Sequence, residues 1–348
     1  MRVFVFSFFA LLFLLIVSIS ALGTGSYFTA ENNVAVSKDA WPHHLRVLIG
    51  ANGGQWSMMG EPIVEALSGR VLPTSSRIGN AVSNIKEVNF KDADLAFTLR
   101  CFLEVANSEE AEYQDIALDN TVLMANMYPQ VLYFLVRKDF AVKNNITNVE
   151  SLLQKKMPLR FGALKPGTSS EFVLSLLLKY GYNTNLKQLG AEQGWSISYN
   201  NYNEAADKFV AGEIDCFVCT ASIQEPLIFE VEKYASVSIL PLGQGVLNLL
   251  SEKFKTTTYV IEPGVYASID KPVKVLADRT CLMVRKDFPD DLVFEITKAL
   301  WENKDKISLT INDFSTLEPE NALDNDSPMH PGAIKFWSSP YATHSASR

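Results

Sequence analysis

Two glycine-bearing stretches of this chain are equipped to hold a small polar molecule, and nothing in it is visibly equipped to transform one. The first is Ile49-Gly50-Ala51-Asn52-Gly53-Gly54-Gln55-Trp56-Ser57-Met58-Met59-Gly60, where Gln55, Trp56 and Ser57 offer an amide, an indole and a hydroxyl. Its glycines let the backbone approach a ligand closely. A tight strand-to-helix turn explains this stretch equally well. The second is Lys165-Pro166-Gly167-Thr168-Ser169-Ser170-Glu171. Thr168 and Glu171 have capping-box spacing, which puts Ser169 and Ser170 in a first helical turn whose N–H groups lack intrahelical partners. Such a turn attracts carboxylate or phosphate, the helix dipole alone contributing roughly 0.3–1 kcal/mol. No Gly-Lys-Ser/Thr follows, so it is not a Walker A loop. Ordinary capping accounts for Thr168 and Glu171 and leaves the two serines over.

Catalytic groupings are missing by contrast. The histidines are His43, His44, His330 and His344, none with metal-ligand spacing, and there is no GxSxG elbow. No metal or cofactor is implied. Cys101, Cys216, Cys219 and Cys281 are too few and too dispersed for a disulfide scaffold. Cys216 and Cys219 have CxxC spacing, but on a strand they point to opposite faces, so buried free thiols are expected, with one oxidised pair as the alternative.

The elements that would carry these stretches alternate strand with helix. Leu45–Ile49 reads as a buried strand running into the first glycine loop, and Pro62 suits the first turn of the helix beyond it. Asp94–Leu99, Val131–Val136 and Leu159–Ala163 read as further strands. Thr147 and Glu150 have capping-box spacing for a short helix, and Phe172–Tyr180 reads as an apolar helix closed by Gly181. Two internal echoes bear on architecture. Lys91-Asp92-Ala93-Asp94-Leu95-Ala96-Phe97 resembles Gly212-Glu213-Ile214-Asp215-Cys216-Phe217-Val218, and Leu135-Val136-Arg137-Lys138-Asp139-Phe140 nearly recurs as Met283-Val284-Arg285-Lys286-Asp287-Phe288. They predict two similar α/β lobes joined by a pair of strands lying side by side. After the second copy, Leu292, Ile296, Ala299 and Leu300 form an apolar helical stripe.

A chain of 348 residues with 47% hydrophobic content is long enough for two domains with a sizeable core. Its net charge of −8 argues against a nucleic-acid partner. Residues 3–17 are almost wholly apolar behind Arg2, and Ser18-Ile19-Ser20-Ala21 supplies small residues for signal-peptidase cleavage. Residues 1–22 are therefore expected to be a signal peptide, or else a retained N-terminal anchor, with 23–43 a linker. Either way the globular part is expected outside the cytoplasm.

Taken together, these segments resemble the TAXI-type solute receptors of TRAP transporters. The family's opening glycine loop matches Gly50 to Gly60, its TGGSVEN segment is echoed in Ile78-Gly79-Asn80-Ala81-Val82-Ser83-Asn84, and its GEADLA strand in Lys91 to Ala96. A tyrosine–proline step recurs at Tyr128-Pro129, the GSGTE loop at Gly167 to Glu171, and the closing helix and HPGA turn at Pro289–Asn303 and His330–Ala333. Gln55, Trp56, Ala81, Leu99-Arg100 and Thr220–Pro226 depart from the family's pattern, so the ligand does not transfer with the fold.

The resemblance implies a type II periplasmic-binding-protein fold with a two-strand hinge. Residues 44–133 with 284–348 would form the first lobe and 134–283 the second. It implies a monomeric periplasmic receptor that binds an organic anion or amino acid (glutamate-, 2-oxoacid- or dicarboxylate-like) and hands it to TRAP membrane permease subunits. A carboxylate is expected on the Gly167–Ser170 turn, at Thr168, Ser169 and Ser170. Gly53, Gly54, Gln55, Trp56 and Asn80 would close on the solute from the other lobe. Arg100 is expected to take a second carboxylate, the alternative being a surface arginine at a strand end; Gln224 and Tyr266 complete the expected site, with core packing the alternative for Tyr266. A membrane-anchored sensor using the same pocket, and an enzyme on the same scaffold, are the competing classes.

Overall fold

Short apolar runs alternating with amphipathic stretches produce a mixed α/β fold in which one curled sheet serves two lobes. The computed structural model describes residues 40–106 and 118–345. The expected export segment over 1–22 and nearly all of the expected linker lie outside the described residues. Among the described residues no helix is long and apolar enough to cross a membrane.

In the first lobe β1 (Leu45–Leu48) runs into α1 (Gln55–Met58) and α2 (Gly60–Ser68), β2 (Thr74–Arg77) into α3 (Ala81–Asn89), and β3 (Leu95–Leu99) into α4 (Arg100–Ala106). The long strand β4 (Thr121–Arg137) leads to the second lobe. There β5 (Arg160–Leu164) precedes α5 (Ser169–Leu176), β6 (Ser196–Asn200) precedes α6 (Tyr202–Val210), and β7 (Cys216–Ala221) precedes α7 (Pro226–Tyr234). Short strands β8 (Val237–Ile239) and β9 (Thr257–Ile261) follow, and β10 (Val273–Arg285) returns the chain to α8 (Asp290–Glu302) and α9 (Pro331–Trp337).

The strand order β2-β1-β3-β10-β4-β7-β5-β6 is a palindrome of parallel triplets, each bordered by one of the two long antiparallel strands. β4 pairs with β10 through Thr121–Val131, with two register shifts, and with β7 through Val131–Val136, so both long strands belong to both lobes. They lie side by side, as the near-repeat predicts, but the repeated hexapeptides do not face each other. Being antiparallel, β4 and β10 carry them to opposite ends: Leu135–Val136 pair with β7 and Met283–Val284 with β3.

There the two copies do equivalent work. The Arg285 N–H donates to the Asp94 carbonyl and the Arg137 N–H to the Asp215 carbonyl, at 3.2 and 3.0 Å. The other echo explains the aspartates. Asp94 accepts the backbone N–H and Nε–H of Arg46 on β1 (2.8 and 2.9 Å), and Asp215 those of Arg160 on β5 (3.0 and 2.9 Å). Each aspartate ties its strand to the central strand of its triplet. The turns before them need a left-handed residue, filled by Lys91 (φ 65°) and Gly212 (φ 73°).

Period-two alternation sorts the core. On β4, Leu132, Phe134 and Val136 face the large core that runs through both lobes, while Val131, Tyr133 and Leu135 face a second core under α6 and α7. On β7, Cys216 faces the first core and Cys219 the second, so the CxxC thiols are on opposite faces; all four cysteines are buried and free. The α8 stripe packs as its spacing predicts, with Leu292, Ile296, Ala299 and Leu300 buried.

Three local expectations are corrected. The short helix near residue 150 is capped by Asn148, reciprocally with Ser151, and not by Thr147. Glu150 is instead drawn away to the Tyr182 hydroxyl (2.7 Å) and the Gly243 N–H (2.8 Å). Gly181 does not end its helix as a left-handed cap: α5 passes into a wider turn over Leu177–Gly181, and a Cβ at Gly181 would lie 2.8 Å from Val246 Cγ1. That glycine serves close packing.

Candidate functional site

Both lobes send strands into helix N-termini at the carboxyl edge of the sheet, where ligands of open α/β sheets settle. These turns meet at a small cavity of about 30 Å³, open at its mouth. From the first lobe it is lined by Gly53, Gly54, Gln55, Trp56 and Asn80; from the second by Thr168, Ser169, Tyr202, Thr220 and Glu225; Gln130 reaches it from β4.

In the first glycine loop each feature has a local cause. A Cβ at Gly50 would sit 2.7 Å from that of Trp56, and Gly53 holds φ 82°, so both positions require glycine. Trp56 is 5% exposed, stacks on Phe97 (centroids 5.9 Å, 22°) and donates its indole N–H to Thr280 Oγ1 (3.2 Å). It is thus a fixed wall of the cavity. Gln55 Nε2 bridges the lobes, donating to Ser222 Oγ (2.9 Å) and Asp313 Oδ2 (3.0 Å). Asn80 caps α3 by accepting the Ser83 N–H at 2.8 Å. Its amide faces Gly167 across the cleft, close enough that a Cβ there would lie 3.3 Å from Asn80 Cγ.

The second loop caps α5 differently from its spacing. Thr168 Oγ1 accepts the Glu171 N–H (3.2 Å) and donates to the Lys165 carbonyl (2.8 Å), but Glu171 reaches back to the Gly167 N–H, not to that of Thr168. The Thr168 N–H already has the Lys165 carbonyl, so only half of the expected box forms. The serines then separate in role. Ser169 lines the cavity, with its hydroxyl 3.1 Å from Thr220 Oγ1. Ser170, 1% exposed, lies beneath: its Oγ accepts the Thr220 N–H (2.8 Å) and is 3.0 Å from the Tyr202 hydroxyl. Burial pushes that phenol up to about 12, so Tyr202 stays neutral.

Arg100, Gln224 and Tyr266 do not line the cavity. Arg100 is not a surface residue and lies away from the cavity; it opens α4, 5% exposed, with Nε on Asp324 (2.8 Å) and Nη1 on Glu104 (2.6 Å). Gln224 points to solvent from the turn after β7. Tyr266 is buried and acts one layer out: its hydroxyl accepts the Glu225 N–H (2.8 Å) and donates to the Ile223 carbonyl (2.9 Å). Tyr133 braces the same turn, its hydroxyl 2.8 Å from the Ser222 carbonyl. Burial, and secondarily the Asp313 carboxylate, push the Glu225 carboxyl above its ordinary value.

Sequence reading missed Gln130, Tyr202, Thr220 and Glu225. Thr220 and Glu225 sit in the Thr220–Pro226 departure that it singled out, so a signal existed there. Tyr202, following the Asn201 cap of α6, occupies the same place after β6 that Ser169 occupies after β5. No group of histidine, cysteine and carboxylate side chains suited to a metal occurs among the described residues.

The sequence profile of the NMT1-like family matches residues 47–338. Among solved structures, the chain is similar to the periplasmic binding protein BugD (12% identity, 85% of this chain and 93% of that one, TM-score 0.49). It is also similar to MatC from Rhodopseudomonas palustris with bound malate (14%, 81% and 90%, TM-score 0.47) and to the periplasmic aliphatic sulphonate binding protein SsuA from Escherichia coli (13%, 79% and 78%, TM-score 0.41).

Proposed function

The chain belongs to the NMT1-like family, and from that premise we propose that it is an extracytoplasmic solute receptor that holds a small molecule between its lobes and passes it on unaltered. The solute is a small organic anion or amino acid, and the receiving partner is a membrane transporter, of TRAP type as the sequence resemblance implies. The lobes are residues 44–133 with 284–348, and 134–283. They close about β4 and β10, the two strands shared by both halves of the sheet.

One observation carries this reading. The first turns of α3 and α5, capped by Asn80 and Thr168, come from different lobes and line one cavity. Their leading N–H groups lack intrahelical acceptors, and their dipoles favour an anionic group between them. Binding at that point rewards closure, because a solute touching both turns binds the closed arrangement better than the open one. Gln130, Tyr202 and Thr220 supply amide and hydroxyl partners for orientation.

Thermal unfolding against a panel of organic acids, amino acids and amines tests the proposal. A true solute at 100 times its Kd stabilises the fold by about 2.7 kcal/mol, easily read as a midpoint shift. Failure of every member to move the midpoint, or chemical conversion of a bound member, would remove the receptor reading.

A further inference from the structure

One corner of the interlobe cavity holds acceptors without matching donors. Gln55 uses its Nε2 on Ser222 and Asp313, and its Oε1 is buried with no hydrogen-bond partner. Glu225 enters the same corner from the second lobe, where its carboxylate receives long bonds of 3.4 Å from the Ser222 hydroxyl and the Leu227 N–H. Asp313 adds a second carboxylate close enough to raise the Glu225 carboxyl. These groups come from three separate segments, α1, the turn after β7, and the stretch after α8. Gln55 and Asp313 belong to the first lobe and Glu225 to the second, and Gln55 Nε2 joins Asp313 to Ser222 beside Glu225.

Among the described residues no cation answers them. None of the cavity-lining residues is lysine, arginine or histidine, and Arg100 is occupied by Glu104 and Asp324. A dicarboxylate lying across this cavity would set its second carboxylate against Glu225 with nothing to neutralise either. An ammonium or amidinium group brings only N–H donors and a positive charge, which is what a desolvated carboxylate and an unpartnered amide oxygen lack.

We infer that this corner receives a cationic hydrogen-bond donor of the solute, so that the receptor takes zwitterionic or basic amines carrying at most one carboxylate, and not dicarboxylates or 2-oxoacids. This rests on the receptor reading and narrows it. The single carboxylate occupies the α3 and α5 turns, and the amine meets Glu225 and Gln55 Oε1, with Asp313 adding negative charge from behind Gln55.

Calorimetric titration of the full chain decides the matter with two sets of probes. One holds alanine, glutamine, lysine and arginine; the other holds lactate, succinate, malate and 2-oxoglutarate. The best amine should bind at least tenfold tighter than every amine-free acid, and Glu225→Gln should weaken that amine by tenfold or more. Tighter or equal binding of succinate, malate or 2-oxoglutarate overturns the inference and leaves the receptor standing, whereas silence of both sets overturns both. A Glu225→Gln protein that binds the amine unchanged also overturns it. Should that variant fail to fold, the comparison of the two sets on the natural protein still gives the answer.

Discussion

Ser169 and Ser170 are neighbours in sequence and opposites in task, because one side chain faces the cavity and the other supports the strand below. Replacing Ser170 by alanine leaves the buried Thr220 N–H without its acceptor, and should cost about 1–3 kcal/mol of stability, read as a lower urea midpoint. Replacing Ser169 by alanine should leave that midpoint nearly unchanged and weaken solute binding several-fold. Equal effects of both changes on stability would show that the layers are not distinct. Arg100 makes a parallel case. An exposed ion pair is worth about 0–1 kcal/mol, but Arg100 and Asp324 have side chains only 6% and 9% exposed. Arg100→Ala should therefore destabilise by about 1.5–3 kcal/mol, since it takes the charged partner from Asp324, whose carboxylate keeps its bonds from Asn126, Asp326 and Ser327. Denaturation with and without solute separates this loss from any effect on affinity, which is expected to be small.

At the scale of elements, the long strand β10 carries a titratable group held against the head of α4. Asp278, 6% exposed, accepts the Cys101 N–H at the head of α4 (2.8 Å) and the Arg279 N–H (2.8 Å). Burial pushes its carboxyl up from 3.8 to about 6, against those bonds. The folded state thus holds this proton more tightly than the unfolded chain does. Its contribution to stability is complete below about pH 3.8 and is lost as the pH rises through about 6, a change of about 3 kcal/mol for a shift of about two units. Unfolding titrations of Asp278→Asn and the natural protein should accordingly differ by an amount that changes across this window, the variant gaining as pH rises. A constant offset would assign the pH dependence elsewhere. His330 behaves in the opposite sense: burial lowers its pKa, and its neutral ring accepts the Gly332 N–H to cap α9 (3.1 Å), so its contribution fades as pH falls.

At the scale of the whole molecule, closure depends on how nearly the backbone of one lobe approaches the side chains of the other. A Cβ at Gly54 would lie 3.1 Å from Tyr202 Cε2. Gly54 has ordinary backbone angles (φ −90°), so a larger residue there is unstrained within its own lobe and obstructs only the meeting of lobes. Gly54→Val should keep the unfolding midpoint within about 0.5 kcal/mol, as expected for a change away from the cores. It should also abolish any solute-induced decrease in the radius of gyration measured by small-angle scattering. Contraction that persists in the variant would mean the cleft closes along another path.

What the amino-acid sequence determined by itself is the repeated unit. Local rules fix strands by alternation, helix starts by capping residues, and loops by glycines, and these rules placed Gly53 and Gly54 in a loop before a helix and Thr168 and Ser169 at a helix head, whereas Asn80 came from the family resemblance alone. The two echoes fixed the likeness of the halves, because each sets an aspartate at the same point before its strand, although the arginines they tie, Arg46 and Arg160, stand 48 and 55 residues away. Which of those heads meet, and what surrounds them, belongs to tertiary structure alone. The antiparallel run of β4 and β10 sends the repeated hexapeptides to opposite lobes, and no local pattern encodes a direction of pairing. Arg100 reads as a free cation until Asp324 arrives from 224 residues away. The acceptor-rich corner likewise needs Gln55, Glu225 and Asp313, residues separated by up to 258 positions, and only the folded chain brings their charges within reach of one another.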